Sequence, residues 1–181
     1  MIKVSDYIYK KCVNFAHDRI GLSADEYKYR GESSVPKMVE DVIIGTVGEW
    51  GAYRFLRDQG IKVSKPDMKI YEVKRKSFEA DLMAEDAIYH VKSQSVISSK
   101  RYGHSWLLQR YDKVVNNPKD NEYFIFTEVD GKNVRILGII KCCLLKERGL
   151  YGECKVPWYR KTKVAIYLDD INMPELFDYK E

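Results

Sequence analysis

Phe78-Glu79-Ala80-Asp81-Leu82-Met83-Ala84-Glu85-Asp86-Ala87-Ile88-Tyr89-His90-Val91-Lys92-Ser93-Gln94 reads as two short apolar strands joined by a turn at Glu85-Asp86. In the first strand, alternation puts Phe78, Ala80 and Leu82 on one face and turns Asp81 the other way, beside Glu79 and Met83. The second, residues 87–92, places Ile88, His90 and Lys92 on one face. Folding it back brings Asp81 near His90 and Lys92, so a carboxylate and an amine share one pocket.

Phosphodiester hydrolysis has a use for such a pair. A hard cation such as Mg²⁺ takes one or two carboxylates together with phosphate oxygens and waters. A lysine can hold the attacking water or stabilise developing negative charge. The alternative is a half-buried hairpin whose Asp81 and Lys92 form a surface ion pair, an interaction that contributes little.

A chain of 181 residues with 45% apolar content fits one soluble globular domain, 1–181, with a sizeable core. No window approaches a membrane span, and the first residues lack the apolar segment of a signal peptide, so a cytoplasmic protein without membrane partners is expected. Cys12, Cys142, Cys143 and Cys154 have none of the paired spacings of a zinc site and are expected as reduced, mostly buried thiols. A net charge of +4 and a pI near 8.7 permit a nucleic-acid partner without demanding one.

In chain order, Ser5 is expected to cap a helix over 6–20, with Tyr7, Ile8, Cys12, Phe15 and Ile20 on its apolar face and Gly21 as its stop. Residues 22–36 lack periodicity and read as a loop. A second helix spans 37–59, with Met38, Val42, Val47, Trp50 and Phe55 among its apolar residues and Gly60 beyond its end. Inside it, Gly45, Gly48 and Gly51 each cost roughly 1 kcal/mol against alanine, which close approach of another backbone would offset. Glu49 lies between two of them and reads either as a site carboxylate or as a solvated helix residue.

Short strands are expected at 61–63 and 70–73, and 106–109 reads as strand or helix. The strongest hairpin signal is 122–129, Asp130-Gly131, then 133–140, whose continuous apolar arms imply central, buried strands. A short helix at 142–147, a strand at 164–168 and a closing turn or helix at 173–179 complete the chain. Between 93 and 103 the chain is polar and basic, with Lys100 and Arg101. Within 150–163, Lys155, Trp158, Arg160 and Lys161 interleave bases with aromatics, which suits backbone contact and base stacking, or else a solvated loop whose aromatics pack inward.

A helix carrying Glu49, a strand near Asp81, and a strand reading His90-Val91-Lys92 together resemble the PD-(D/E)xK nuclease superfamily, the restriction-endonuclease-like fold. The resemblance covers roughly residues 37–140 and implies an α/β fold with a central mixed sheet flanked by helices. It implies a metal-dependent DNA endonuclease in which Asp81 and Glu49 bind Mg²⁺ (or Mn²⁺), Lys92 acts on the water, and Gln94 matches the polar residue that often follows the motif. Ala80 replaces the motif's proline, and His90 stands where its second carboxylate belongs, as a metal ligand or general base. Neutral imidazole suits Zn²⁺ or Mn²⁺ better than Mg²⁺. DNA is the expected partner, with Lys100, Arg101, Lys155, Trp158, Arg160 and Lys161 as candidate contacts, and a homodimer is left open. The alternatives are a nucleic-acid-binding module that keeps the fold without catalysis, and a structural protein with no nucleic-acid role.

Overall fold

In the computed structural model of the protein, which describes residues 1–29, 34–70 and 80–171, the elements follow in this order. They are β1 (Ile2–Lys3), α1 (Asp6–Tyr29), α2 (Val35–Asp58), β2 (Leu82–Met83), β3 (Ile88–Ser95), α3 (Val96–Tyr102), β4 (Ser105–Gln109), α4 (Lys113–Asn116), β5 (Glu122–Asp130), β6 (Asn133–Lys141), α5 (Cys142–Glu147) and β7 (Lys163–Tyr167). The main sheet is five-stranded in the order β1-β6-β5-β3-β2, while β4 and β7 form a separate antiparallel pair. Strands β3 and β5 are parallel and the other neighbours antiparallel, so the sheet is mixed. A parallel pair needs a crossover, which α3, β4 and α4 supply.

The β5–β6 hairpin is central, as its continuous apolar arms imply: Phe124, Ile125 and Phe126 are fully buried, with both sheet faces covered. On one face, Ala52 and Leu56 of α2 pack against Tyr89, Val91, Ile125 and Ile139. On the other, Trp106, Leu108, Val114, Leu145 and Ile166 pack against Phe124, Phe126 and Ile140. Helix α1 lies against α2 through Phe15, Ala16, Ile20, Met38 and Val42.

The helix ends agree with the capping rules except at one point. Ser5 Oγ accepts the Ile8 amide at 3.3 Å and Ser34 Oγ accepts the Lys37 amide at 3.4 Å. Gly60 follows α2 with φ 81°, in the left-handed region that glycine tolerates. Gly21, by contrast, does not stop α1, which runs on to Tyr29, so most of the expected 22–36 loop is helical. A single glycine costs only about 1 kcal/mol in a helix, which packing on α2 outweighs. Tyr7 also leaves the expected apolar face: it is 66% exposed and holds Lys11 over its ring.

Only Val63 of the 61–63 strand pairs, as an isolated bridge to Ala84. The rest of the expected strand at 70–73 beyond Ile70, Phe78 and Glu79 of the first hairpin arm, residues 30–33 of the loop, and the closing segment 173–179 lie outside the described residues. The two glycines flanking Glu49 are explained by side chains rather than by another backbone. A Cβ at Gly48 would stand 1.9 Å from Ser93 Oγ and 2.8 Å from Thr127 Oγ1, and one at Gly51 would stand 2.5 Å from Val134 Cγ1. These approaches seat α2 directly on β3, β5 and β6. Gly45 meets nothing within 4 Å, so the same account does not reach it.

All four cysteines are free, and Cys12, Cys142 and Cys154 are buried. Burial pushes the Cys12 thiol up to about 12. Among the described residues, no helix is long and apolar enough to cross a membrane.

Candidate active site

Strand β2 is only two residues long, and its pairing with β3 ends at Leu82 opposite Tyr89. Carried one residue further, that register sets Asp81 level with His90. There the pairing of β2 with β3 ends among the described residues. Asp81 continues the contact through its side chain: its Oδ2 accepts the Val91 amide at 2.7 Å, a charge-assisted bond that fixes the carboxylate at the strand edge. The expected proximity of Asp81 to His90 is therefore present, produced by a shorter first strand and a longer second one than the sequence suggested. The surface Asp81–Lys92 ion pair is not what holds Asp81.

Alternation along β3 sorts its side chains. Tyr89 and Val91 face α2, and Ser93 meets Gly48. His90 and Lys92 face the opposite layer, where the His90 ring lies 5.8 Å from that of Phe124 and Lys92 Nζ lies 5.9 Å from the same ring. Glu49 stands on α2, the helix packed on the other face. Its carboxyl is held well above the ordinary glutamate range, first by burial and then by the Asp81 carboxylate, with Arg19 and Lys92 opposing. Glu49 is thus within electrostatic reach of Asp81 and Lys92, the first from a helix, the second from a strand end and the third from the strand itself.

His90 is different. Burial, then Lys92, holds its imidazole below the ordinary histidine value against the pull of Asp81 and Glu122, so the ring is neutral near pH 7. Its Nε2 is buried without a hydrogen bond among the described residues, and the nearest charged oxygen, Glu122 Oε1, is 3.8 Å away. Two carboxylates plus waters are a donor set of the kind Mg²⁺ takes. The expected trio does not close around one point. Among the described residues no three His, Cys, Asp or Glu side chains are grouped so that they could hold an ion, and His90 turns toward Glu122 instead.

Gln94 is buried and its carboxamide is spent on the turn after α3. Its Nε2 donates to the Gly103 carbonyl at 3.0 Å, and its Oε1 accepts the Ser105 amide at 3.0 Å. Its structural role lies away from Asp81.

The expected nucleic-acid contacts fall into two groups. Lys100 and Arg101 are exposed in the last turn of α3, and Lys155 Nζ donates to the Tyr102 carbonyl at 2.6 Å, so these three converge on one corner. Trp158, Arg160 and Lys161 occupy the short turn 157–161 before β7. Trp158 is 74% exposed, which excludes the inward-packed alternative for that ring, while Arg160 is engaged by the Cys154 carbonyl and by Glu153 at 3.6 Å.

Sequence reasoning missed a buried carboxylate. Glu128 Oε1 accepts from Ser99 Oγ at 2.6 Å and meets His104 Nε2 at 2.9 Å, while its Oε2 accepts from Arg135 at 2.6 Å. Burial would raise this acid, but the hydrogen bonds from Ser99 and His104 and the Arg135 charge hold it below the ordinary range. The visible signal was a charged residue inside the apolar run 123–129. No protein-family model, curated protein or solved structure matches the chain.

Proposed function

We propose that this protein is a divalent-cation-dependent DNA endonuclease of the restriction-endonuclease-like, PD-(D/E)xK type. The observation that carries the reading is that Asp81, fixed at the end of β2 by the Val91 amide, and Glu49 of α2 come from separate elements into electrostatic reach of each other and of Lys92. Keeping a carboxyl partly withdrawn from water beside a second carboxylate is unfavourable, and a bound divalent cation relieves that cost. Mg²⁺ held by Glu49 and Asp81 would neutralise phosphate charge and lower the pKa of a bound water. Lys92, its ammonium near the Phe124 ring, orients the attacking water or meets the charge that develops on the phosphate.

The mixed sheet with helices on its faces is compatible with this fold, and the order helix, short strand, long strand supports the residue correspondence. The exposed Lys100, Arg101, Lys155, Trp158 and Lys161 supply charge and a stacking surface for a nucleic-acid backbone. A second reading, a DNA-binding module without catalysis, is favoured by His90, which brings no carboxylate to the strand and faces Glu122. Incubating supercoiled, linear, single-stranded and branched DNA with Mg²⁺ and with Mn²⁺ tests the proposal. Cation-dependent cleavage of any substrate supports the endonuclease, and retardation of DNA without cleavage supports the module.

A further inference from the structure

On the face of β3 turned away from α2, two side chains are arranged in a way that the Glu49–Asp81 site does not use. His90 and Glu122 are diagonal neighbours: β3 and β5 are parallel, with Ile88 opposite Glu122 and His90 opposite Phe124, so both side chains point into the same layer. Both are largely buried, at 14% and 12% side-chain exposure. Glu122 is not free to swing, because its Oε2 accepts the Lys119 amide at 2.8 Å. Its Oε1 is left facing His90 Nε2 across 3.8 Å.

That gap is too long for a hydrogen bond, since even about 3.6 Å is beyond the range for nitrogen and oxygen. It is a few tenths of an ångström wider than the separation of two neighbouring ligand atoms on one metal, about 3.0–3.5 Å for bonds of about 2.1 Å. The remaining difference lies within the soft terminal torsions of imidazole and carboxylate. His90 Nε2 is one of two buried side-chain polar atoms without a hydrogen bond among the described residues, and the other, the Tyr151 hydroxyl, belongs to the same layer. Among the charges that act most on His90, Asp81, Glu122 and Asp112 pull its imidazole up and Lys92 pushes it down.

We propose that His90 Nε2 and Glu122 Oε1 bind a borderline divalent cation of the Mn²⁺ or Zn²⁺ class, at a second site on the face of β3 turned away from α2, next to Asp81 and across the strand from Glu49. One imidazole and one carboxylate favour such ions over Mg²⁺, and waters complete the shell. The site rests on its own geometry and does not require that the protein cleave DNA.

The test uses the full chain and Mn²⁺ alone. The protein contains only three histidines, His17, His90 and His104, so their imidazole NMR signals can be followed one by one as Mn²⁺ is added. Because Asp81 is near His90, the titration is done in Asp81→Asn, which removes the neighbouring site. We expect the His90 signal to broaden first in that variant, and about 10-fold or more Mn²⁺ to be required once Glu122→Gln is added. Circular dichroism and thermal unfolding establish that both variants fold. Should Glu122→Gln prove unfolded, the titration of Asp81→Asn in competition with Zn²⁺ decides instead, since Zn²⁺ should restore the sharp His90 signal. Absence of His90 broadening in Asp81→Asn, or broadening unchanged by Glu122→Gln, overturns the proposal and leaves a bridging water as the link. If broadening follows the prediction while the parent cleaves no DNA, the endonuclease reading fails and the second site stands.

Discussion

Asp81 accepts the backbone amide of Val91, and this one bond decides where the first strand ends and the candidate site begins. A third residue of β2 would pair with β3 and bury the edge. A carboxylate at that point satisfies the amide with one oxygen, and its charge helps to raise the Glu49 carboxyl.

Helix α2 can deliver Glu49 only because Gly48 lets it approach β3. Gly48→Ala should destabilise the fold by about 1–3 kcal/mol, since Ser93 and Thr127 must move and overpacking outweighs the gain in helix propensity. Gly45→Ala meets no atom and should instead stabilise by about 0.5–1 kcal/mol. Denaturant unfolding of the two variants should move in opposite directions, and a shift of the same sign would refute the packing account.

Glu49 holds its proton more tightly in the folded chain than in the unfolded one, so its contribution to stability is present at low pH and is lost as pH rises through its raised value. Glu49→Gln, which mimics the protonated acid, should be more stable than the parent by about 0.5–2 kcal/mol above neutrality, with the advantage shrinking toward pH 4. Mg²⁺ binding should release a proton in the parent and not in the variant, which calorimetry in buffers of different ionisation heat measures.

Glu128 behaves in the opposite sense. Its folded pKa is depressed, so its contribution is present above the ordinary glutamate range and lost as pH falls through the folded value. Glu128→Ala leaves Ser99, His104 and Arg135 without their shared acceptor and should cost about 2–4 kcal/mol at pH 7. The penalty should be smaller at pH 3. A pH-independent penalty would mean that the carboxylate charge contributes nothing.

If the protein binds DNA through the proposed basic surface, replacing Lys155, Arg160 and Lys161 together by alanine should weaken binding and flatten its salt dependence. The slope of log affinity against log salt should fall by about 0.9 for each phosphate that is no longer neutralised. Arg160 is already engaged by Glu153, so most of the effect should come from Lys155 and Lys161. An unchanged slope would move the DNA to another face.

Much of this fold is legible where pattern and burial coincide. The 122–140 hairpin, α2 between Ser34 and Gly60, and α5 at 142–147 all follow from local apolar runs and caps. Three features are not legible because they depend on partners distant in sequence. The parallel pairing of β3 with β5 is set by the crossover 96–121. The pairing of β4 with β7 closes over a still longer interval and turns an ambiguous apolar segment into strand. Glu128 and Glu122 look like incidental charges at a strand's end or interior until Arg135, His104 and His90 are brought against them. The site itself was half visible: alternation finds Asp81 opposite His90 and Lys92, but not that β3 splits Glu49 from His90.

The central claim is that Glu49 and Asp81 hold the cation while Lys92 serves the water. The most direct measurement is cation-dependent conversion of supercoiled plasmid by the parent and by Asp81→Asn, with DNA retardation measured on the same samples. The predicted result is cleavage by the parent in Mg²⁺ or Mn²⁺, a drop of at least about 100-fold in Asp81→Asn, and equal DNA binding by both. Full cleavage by Asp81→Asn, or no cleavage by the parent with either cation, would contradict it.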